Sequence, residues 1–235
     1  MNQNKSTLSQ PSSTGATQPV PSSDRGKPKR QLLLAAGVVV LAVVALFAVY
    51  VASNGSERAS NPAEGQYRFA VGDPGPGQPA PPIVLPSTDG GTFDLASFQG
   101  RTVLLYFQEG VGCQPCWDQM RDIQANREQF AAAGIDEFIT ITSNSLDLVT
   151  QKLDQDEIAG PVLADTDLAV SKTYDANSYG MMGDSTNGHT FIVVDADGII
   201  AWRADYGGAP DYTMFVPVPA LLADIDGGLE APTAP

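Results

Sequence analysis

An uncharged apolar run near the N-terminus most constrains how this chain can fold. Residues 32–52 read LLLAAGVVVLAVVALFAVYVA and contain no charged side chain. A helix of this length covers about 30 Å, the thickness of the hydrocarbon core of a bilayer. The sequence therefore predicts a transmembrane helix over 31–53. The competing interpretation, a cleaved secretory signal, agrees less well, because the run is longer than a typical signal core and lacks small residues well placed for cleavage.

Basic residues lie directly before the apolar run: Arg25, Lys27, Lys29 and Arg30. Such clusters stay on the cytoplasmic side of a membrane. Residues 1–30 are rich in Ser, Thr, Gln and Pro, so we expect a disordered cytoplasmic tail. The sequence thus predicts a single-pass protein of the cell membrane, in contact with the lipid bilayer through residues 32–52, with its C-terminal domain extracytoplasmic.

Charge is divided unevenly along the chain. The net charge at pH 7 is −14, yet residues 1–30 hold five basic residues against Asp24 alone and so carry +4. The rest of the chain therefore carries −18, because the +4 of the tail is included in the total of −14. Nucleic acid binding draws most of its affinity from clusters of Lys and Arg. This acidic remainder excludes nucleic acid as an expected partner.

A segment rich in Gly, Pro, Ser and Asn follows the apolar run and leads into GDPGPGQPAPP at residues 72–82. Segments of this composition act as extended spacers. We therefore expect an extracytoplasmic linker over 54–76, a folded domain over 77–229 and a flexible tail over 230–235.

The domain alternates apolar runs typical of strands with patterns typical of helices. Strands are predicted at 102–107, 137–142, 190–194 and 199–203, and helices at 117–133, 146–153, 167–174 and 216–225. The last two strands, joined by a turn at 195–198, form a hairpin signature. Strand and helix in alternation, then a hairpin and a helix, indicate an α/β protein with a mixed sheet.

The chain has two cysteines, Cys113 and Cys116, separated by Gln114 and Pro115. They follow a predicted buried strand and open a predicted helix, where unpaired N–H groups and the helix dipole stabilise an anion. A thiolate is the nucleophile in disulfide exchange. We therefore expect Cys113 to attack a substrate and Cys116, one turn inside the helix, to complete the exchange. Pro115 is tolerated in the first turn of a helix.

Two other interpretations of the dithiol remain open. A zinc site would need four Cys or His ligands, but there is no second CxxC and His189 is the one histidine of the chain. An inert structural disulfide is the second alternative. A redox-active dithiol is the favoured interpretation, and the sequence implies no bound cofactor.

Several motifs surround the dithiol: Ala80-Pro81, the turn Asp89-Gly90-Gly91, residues 95–100, PVLADTD at 161–167 and HTFIVVDADG at 189–198. Together they resemble the AhpC/TSA and thioredoxin-like redoxin superfamily over about residues 77–225. The resemblance implies a thioredoxin-like three-layer α/β/α sandwich with a central mixed sheet.

The sequence departs at two places from the families that it resembles. Peroxiredoxins share a Pro-x-x-x-Thr/Ser-x-x-Cys motif, whereas Tyr106 and Gly110 stand at the Pro and Thr positions relative to Cys113. We therefore expect inefficient activation of peroxide. Thioredoxins carry a cis-proline before the strand that faces the dithiol, and His189 stands at the matching position here.

His189 and Glu109 are candidate catalytic residues beside the cysteines. The resemblance places the imidazole of His189 across the site from Cys113, where a cation would favour the thiolate and a neutral ring could carry a proton. A surface histidine is the alternative. Glu109, four residues before Cys113, is a candidate acid or base, with a solvated loop carboxylate as the alternative.

Three further side chains near the dithiol have two interpretations each. Trp117 could shape a docking surface, although packing on the helix is favoured. Met181 and Met182 could offer thioethers to copper, although loop exposure or gap filling is favoured.

Three functions follow from these residues. The first is a membrane-tethered thiol-disulfide oxidoreductase acting on disulfide-bearing envelope or exported proteins with an unidentified electron donor or acceptor. The second is a thiol peroxidase in which Cys113 is oxidised to a sulfenic acid and Cys116 resolves it. The third is a Cu(I)-binding delivery protein that uses Cys113, Cys116 and His189.

Overall fold

The computed structural model describes residues 67–230 of the chain. The predicted disordered tail, the predicted transmembrane helix and most of the predicted linker lie outside the described residues. Within residues 67–230, no helix is both long enough and apolar enough to cross a bilayer.

The described residues contain seven strands and five α-helices, with short 3-10 turns between them. The strands are β1 (Val84–Pro86), β2 (Thr92–Asp94), β3 (Val103–Gln108), β4 (Glu137–Thr142), β5 (Val162–Ala164), β6 (Thr190–Val194) and β7 (Ile200–Asp205). The helices are α1 (Gln114–Ala125), α2 (Arg127–Ala132), α3 (Leu146–Asp156), α4 (Ala169–Thr173) and α5 (Val218–Glu230). The 3-10 turns are Leu95–Phe98, Ala176–Ser178 and Gly183–Ser185.

The central sheet has five strands in the order β5-β4-β3-β6-β7, and β1 and β2 form a separate antiparallel pair. Strands β3, β4 and β5 run parallel, whereas β6 is antiparallel to both β3 and β7. The predicted mixed sheet is therefore confirmed. Strand β3 lies at the centre of this sheet, and the loop that follows it carries the dithiol.

Strand β3 is buried along its whole length, because both faces of the sheet are covered. On one face, Leu104 and Tyr106 pack with residues of α1 and α5. On the other face, Leu105 and Phe107 pack with Tyr174 and with the β1-β2 pair. Coverage on both faces explains why the sequence of β3 is a continuous apolar run rather than an alternating one.

Each of the four predicted strands is present, as β3, β4, β6 and β7, and helices lie near all four predicted positions. The predicted helix 117–133 differs in detail, because it divides into α1 and α2 at Asn126. The side-chain amide of Asn126 donates to the carbonyl of Asp122 at 2.8 Å. Such local bonding to the backbone competes with a continuous helix. Strand β5 was not predicted from its residue pattern.

The segment before the predicted domain boundary is part of the fold. Ala70 exchanges two backbone hydrogen bonds with Asp205, at 3.1 and 2.9 Å, and the Gly77 N–H donates to Ile200 at 2.8 Å. The prediction of a linker up to residue 76 is therefore wrong for residues 67–76. The outer edge of β7 offers unpaired backbone groups, and this segment covers them.

A candidate dithiol redox site

The two cysteines form a disulfide at the start of α1, with their Cα atoms 5.4 Å apart. Cys113 is the N-cap residue of α1, and Cys116 lies in the first turn of the helix. The predicted position of the dithiol, after a buried strand and at a helix start, is confirmed. Cys113 is 6% exposed and Cys116 is fully buried. An incoming thiolate therefore reaches the sulfur of Cys113 first.

The helix start is arranged to hold negative charge on the first sulfur. The Cys116 N–H donates to the Cys113 Sγ at 3.3 Å. The remaining free N–H groups of the first turn and the helix dipole act in the same direction. In the reduced protein these groups favour the Cys113 thiolate, which is the reactive form.

Gly110 shapes the loop between β3 and the dithiol. Its φ is +96°, in the left-handed region, and a Cβ atom there would overlap the Asn144 side chain. Its carbonyl accepts the N–H of Cys113 and the indole N–H of Trp117, both at 3.0 Å. Glycine is therefore required at this position, where the peroxiredoxin motif has a hydroxyl side chain.

Gln114, the first of the two residues between the cysteines, is held by α3. Lys152 Nζ donates to the Gln114 side chain at 2.7 Å and pairs with Asp156 at 2.9 Å. The hydrogen bond from Lys152 is the main cause that lowers the pKa of Asp156. These contacts join the exposed turn of the dithiol to α3. The turn is therefore held by α3 as well as by the loop after β3.

His189 is fully buried on the α1 side of the sheet. Its Nδ1 lies 3.0 Å from the Tyr106 hydroxyl, which in turn lies 3.3 Å from the carbonyl oxygen of Cys116. Burial lowers the pKa of His189 from 6.5 to about 3. Of the two roles predicted for this ring, that of a cation disagrees with this pKa. The role of a neutral proton carrier stays a prediction.

Glu109 is buried rather than solvated, with 8% exposure. Its Oε1 accepts the backbone N–H of Met181 at 2.6 Å, which ties the loop after β3 to the loop before β6. Burial and the charge of Glu109 together raise the pKa of Tyr106 well above its usual value. The solvated-carboxylate alternative is therefore wrong, and the observed contact is one that positions a loop.

The favoured interpretations of the remaining candidates are confirmed. Trp117 is fully buried and packs with residues of α1 and α3, so it presents no surface to a partner. Met181 and Met182 are 55% and 62% exposed on their loop. Over residues 67–230, no group of three or more His, Cys, Asp or Glu side chains could hold a metal ion. The Cu(I) hypothesis therefore gains no support from the fold.

Sequence reasoning missed Tyr106 and Gln108 as members of the site. Both lie on the strand that precedes the dithiol, and both are fully buried. The signal was present, because a tyrosine and a glutamine two residues apart in an otherwise apolar strand point to the same face. The contact of Tyr106 with His189 could not be identified from the sequence, since the two residues lie 83 positions apart.

A buried dithiol at a helix start after the central strand of a mixed sheet defines a thioredoxin-like redoxin, a thiol-based oxidoreductase. The chain belongs to the AhpC/TSA family, whose family model matches residues 76–203. The predicted superfamily is thereby confirmed.

Two curated relatives carry the peroxiredoxin name. The chain is 32% identical over 130 residues to a putative peroxiredoxin of Mycobacterium tuberculosis, covering 53% of this chain and 81% of the relative. It is 27% identical over 127 residues to peroxiredoxin Bcp of Escherichia coli, with the same coverage of 53% and 81%.

Solved structures share the fold at low sequence identity. Peroxidoxin BcpB from Mycobacterium tuberculosis superposes with a TM-score of 0.54 at 16% identity, covering 65% of this chain and 97% of that chain. The reduced 2-Cys peroxiredoxin of Plasmodium vivax superposes with a TM-score of 0.53 at 21% identity, covering 64% and 79%. These similarities support the fold alone.

Proposed function

We propose that this protein is a membrane-tethered, extracytoplasmic thiol-disulfide oxidoreductase that acts on disulfides of envelope or exported proteins. One observation carries the proposal: Cys113 and Cys116 pair within a single helical turn, with the accessible sulfur at the helix start. The reactive and resolving sulfurs therefore meet without rearrangement of the fold. The tether rests on the apolar run at 31–53 and on the basic residues before it.

The exchange uses both sulfurs in turn. In the reducing direction, the Cys113 thiolate attacks a substrate disulfide, forms a mixed disulfide and expels one substrate thiolate. Cys116 then attacks Cys113 Sγ, closes the internal disulfide and releases the second substrate thiolate. A dithiol donor restores the reduced pair. Glu109 positions the loop that carries Cys113, and His189 carries a proton as a neutral ring.

A thiol peroxidase is the second candidate, favoured by the peroxiredoxin relatives. In that reaction Cys113 attacks a peroxide oxygen, forms a sulfenic acid and releases water or an alcohol. Cys116 condenses with the sulfenic acid and releases water. Against this candidate, the hydroxyl of the peroxiredoxin motif is absent at Gly110, and the Asn144 side chain occupies the space where a side chain would begin.

Stopped-flow kinetics on the reduced full-length chain separate the two candidates. We expect rapid mixed-disulfide formation with a disulfide-bonded polypeptide and slow loss of the Cys113 thiolate with hydrogen peroxide. Cys116→Ser should trap the mixed disulfide, and Cys113→Ser should abolish it. Rapid reaction with peroxide together with slow reaction with polypeptide disulfides would favour the peroxidase.

A further inference from the structure

A group of charged side chains surrounds the exposed turn between the cysteines. Gln114 is exposed and directly follows Cys113 at the start of α1. Its side-chain oxygen accepts from Lys152 Nζ of α3 at 2.7 Å. Its side-chain amide donates to Asp118 at 3.1 Å, one turn along α1, and to Asp156 of α3 at 3.4 Å. Gln114 is therefore the point at which charges from two helices meet beside the accessible sulfur.

Each of the two helices supplies one cation and one carboxylate. Lys152 of α3 pairs with Asp156 at 2.9 Å, and Arg121 of α1 pairs with Asp118 at 2.7 Å. The side chains of Lys152 and Asp156 are 16% and 18% exposed, whereas those of Arg121 and Asp118 are 46% and 47% exposed. Charges that are partly withdrawn from water are screened less than exposed ones. The charges on α3 therefore act more strongly on their surroundings than those on α1.

These cations contrast with the charge of the domain. Residues 67–230 contain seven Lys and Arg side chains against 24 Asp and Glu side chains. Such an excess of negative charge opposes the formation of a thiolate. Two of the seven cations, Arg121 and Lys152, lie beside the turn that holds the dithiol. Lys152 donates to the side chain next to Cys113, so its charge lies where it offsets the field of the acidic domain.

Resting on the proposed thiol-disulfide exchange, we propose that Lys152 is a positioning residue that, through Gln114, holds a positive charge beside Cys113 and thereby sets the reduction potential of the dithiol. Asp156 opposes it, because this carboxylate neutralises Lys152 and also bonds Gln114. In the reduced protein the charge of Lys152 stabilises the Cys113 thiolate. A dithiol whose reduced form is stabilised is a stronger oxidant. Lys152 therefore makes the dithiol more oxidising, and Asp156 makes it less so.

Equilibration of the full-length chain with reduced and oxidised dithiothreitol measures this effect. Dithiothreitol loses two electrons and closes its own disulfide, while Cys113 becomes a thiolate, Cys116 a thiol, and one proton goes to solvent. Lys152→Met should shift this equilibrium about threefold toward the protein disulfide at about pH 8, and should raise the midpoint of thiolate formation by about half a pH unit. Asp156→Asn should shift both quantities in the opposite direction, because Lys152 loses its counter-charge.

Opposite shifts separate an effect of charge from a loss of structure. If the contacts only held the turn in shape, both substitutions would loosen it and shift the equilibrium in the same direction, which would overturn the proposal. Lys152→Arg keeps the charge and a donor, so it should retain the wild-type equilibrium. Lys172→Met is the matched control, since it removes one cation from α4, which packs on the other face of the sheet. Equal shifts for Lys172→Met and Lys152→Met would also overturn the proposal.

A double substitution tests the part played by Gln114. Gln114→Met removes the amide that holds Lys152, so Lys152→Met should have a smaller effect in this background than in the wild type. Equal effects in the two backgrounds would contradict the proposal, because Gln114 would then not position the charge. Dithiothreitol is a small molecule, so these outcomes are independent of whether the protein acts on polypeptide disulfides or on peroxide.

Discussion

His189 links the stability of the fold to pH through a single buried ring. Burial lowers the pKa of His189 from 6.5 to about 3, so the unfolded chain binds one more proton than the folded chain between these values. The stability that depends on the neutral ring is complete above pH 6.5 and is lost as pH falls toward 3. The expected loss from this group is about 2 kcal/mol between roughly pH 7 and pH 5.

Denaturant unfolding of the wild type and His189→Gln at several pH values checks this linkage. The wild type should lose more stability than the variant over this interval, because the variant lacks the imidazole ring. Both proteins share the same carboxylates, so the difference between them reports the titration of His189. Parallel pH profiles for the two proteins would show that the ring is not held neutral by the fold.

Gly110 allows a second test at the residue scale. Gly110→Ala should lower the free energy of unfolding by about 2 kcal/mol or more, from the left-handed backbone and the overlap with Asn144. Gly112→Ala in the same loop is the matched control, because nothing lies within 4 Å of its added Cβ. Equal unfolding midpoints for the two variants would contradict the conformation assigned to the loop.

At the scale of elements, the segment 67–76 depends on a buried ion pair for its position along β7. Asp205 accepts two bonds from Arg203, at 2.8 and 2.9 Å, one from Thr190 at 2.7 Å and one from the Gly72 N–H at 2.7 Å. Both charged side chains have no exposed surface. Each of these groups donates a hydrogen bond to the Asp205 carboxylate. Through the N–H of Gly72, the Arg203–Asp205 pair connects the segment before the predicted domain to the β6-β7 hairpin.

Asp205→Asn should therefore destabilise the fold by about 3 kcal/mol or more and expose residues 70–80 to proteolysis, because Arg203 keeps a buried charge without its counter-ion. Asp211→Asn is the comparison, since the Arg68–Asp211 pair is largely exposed and exposed ion pairs stabilise a fold little. Thermal unfolding and limited proteolysis measure both variants. Similar losses of stability in the two variants would mean that water reaches the Arg203–Asp205 pair.

At the scale of the whole molecule, net charge selects which reductants approach the site. The chain carries −14, so anionic thiols are repelled at long range and cationic thiols are attracted. Raising ionic strength from about 0.01 M to about 0.15 M shortens the screening length from about 30 Å to about 8 Å. Reduction by glutathione should then accelerate, whereas reduction by cysteamine should change little, because the attacking thiolate of cysteamine carries no net charge beside its ammonium group. Equal changes in the two rates would contradict this effect.

Local pattern was sufficient for the parts of the molecule that depend on neighbouring residues. The continuous apolar run of β3, the helix that starts at the dithiol and the hairpin of β6 and β7 were all predictable from the sequence. Periodicity and helix capping act within one or two turns of chain, so their signals lie in adjacent residues. The same reasoning identified Cys113 as the sulfur at the helix start.

Tertiary structure alone decided the surroundings of that sulfur. The contact between Tyr106 and His189 spans 83 residues of sequence, and the overlap that requires glycine at residue 110 comes from Asn144 on the loop after β4. The docking of residues 67–80 on β7 joins opposite ends of the domain. These contacts follow from which strands are neighbours in the sheet, and strand order depends on the packing of the whole chain rather than on any local pattern.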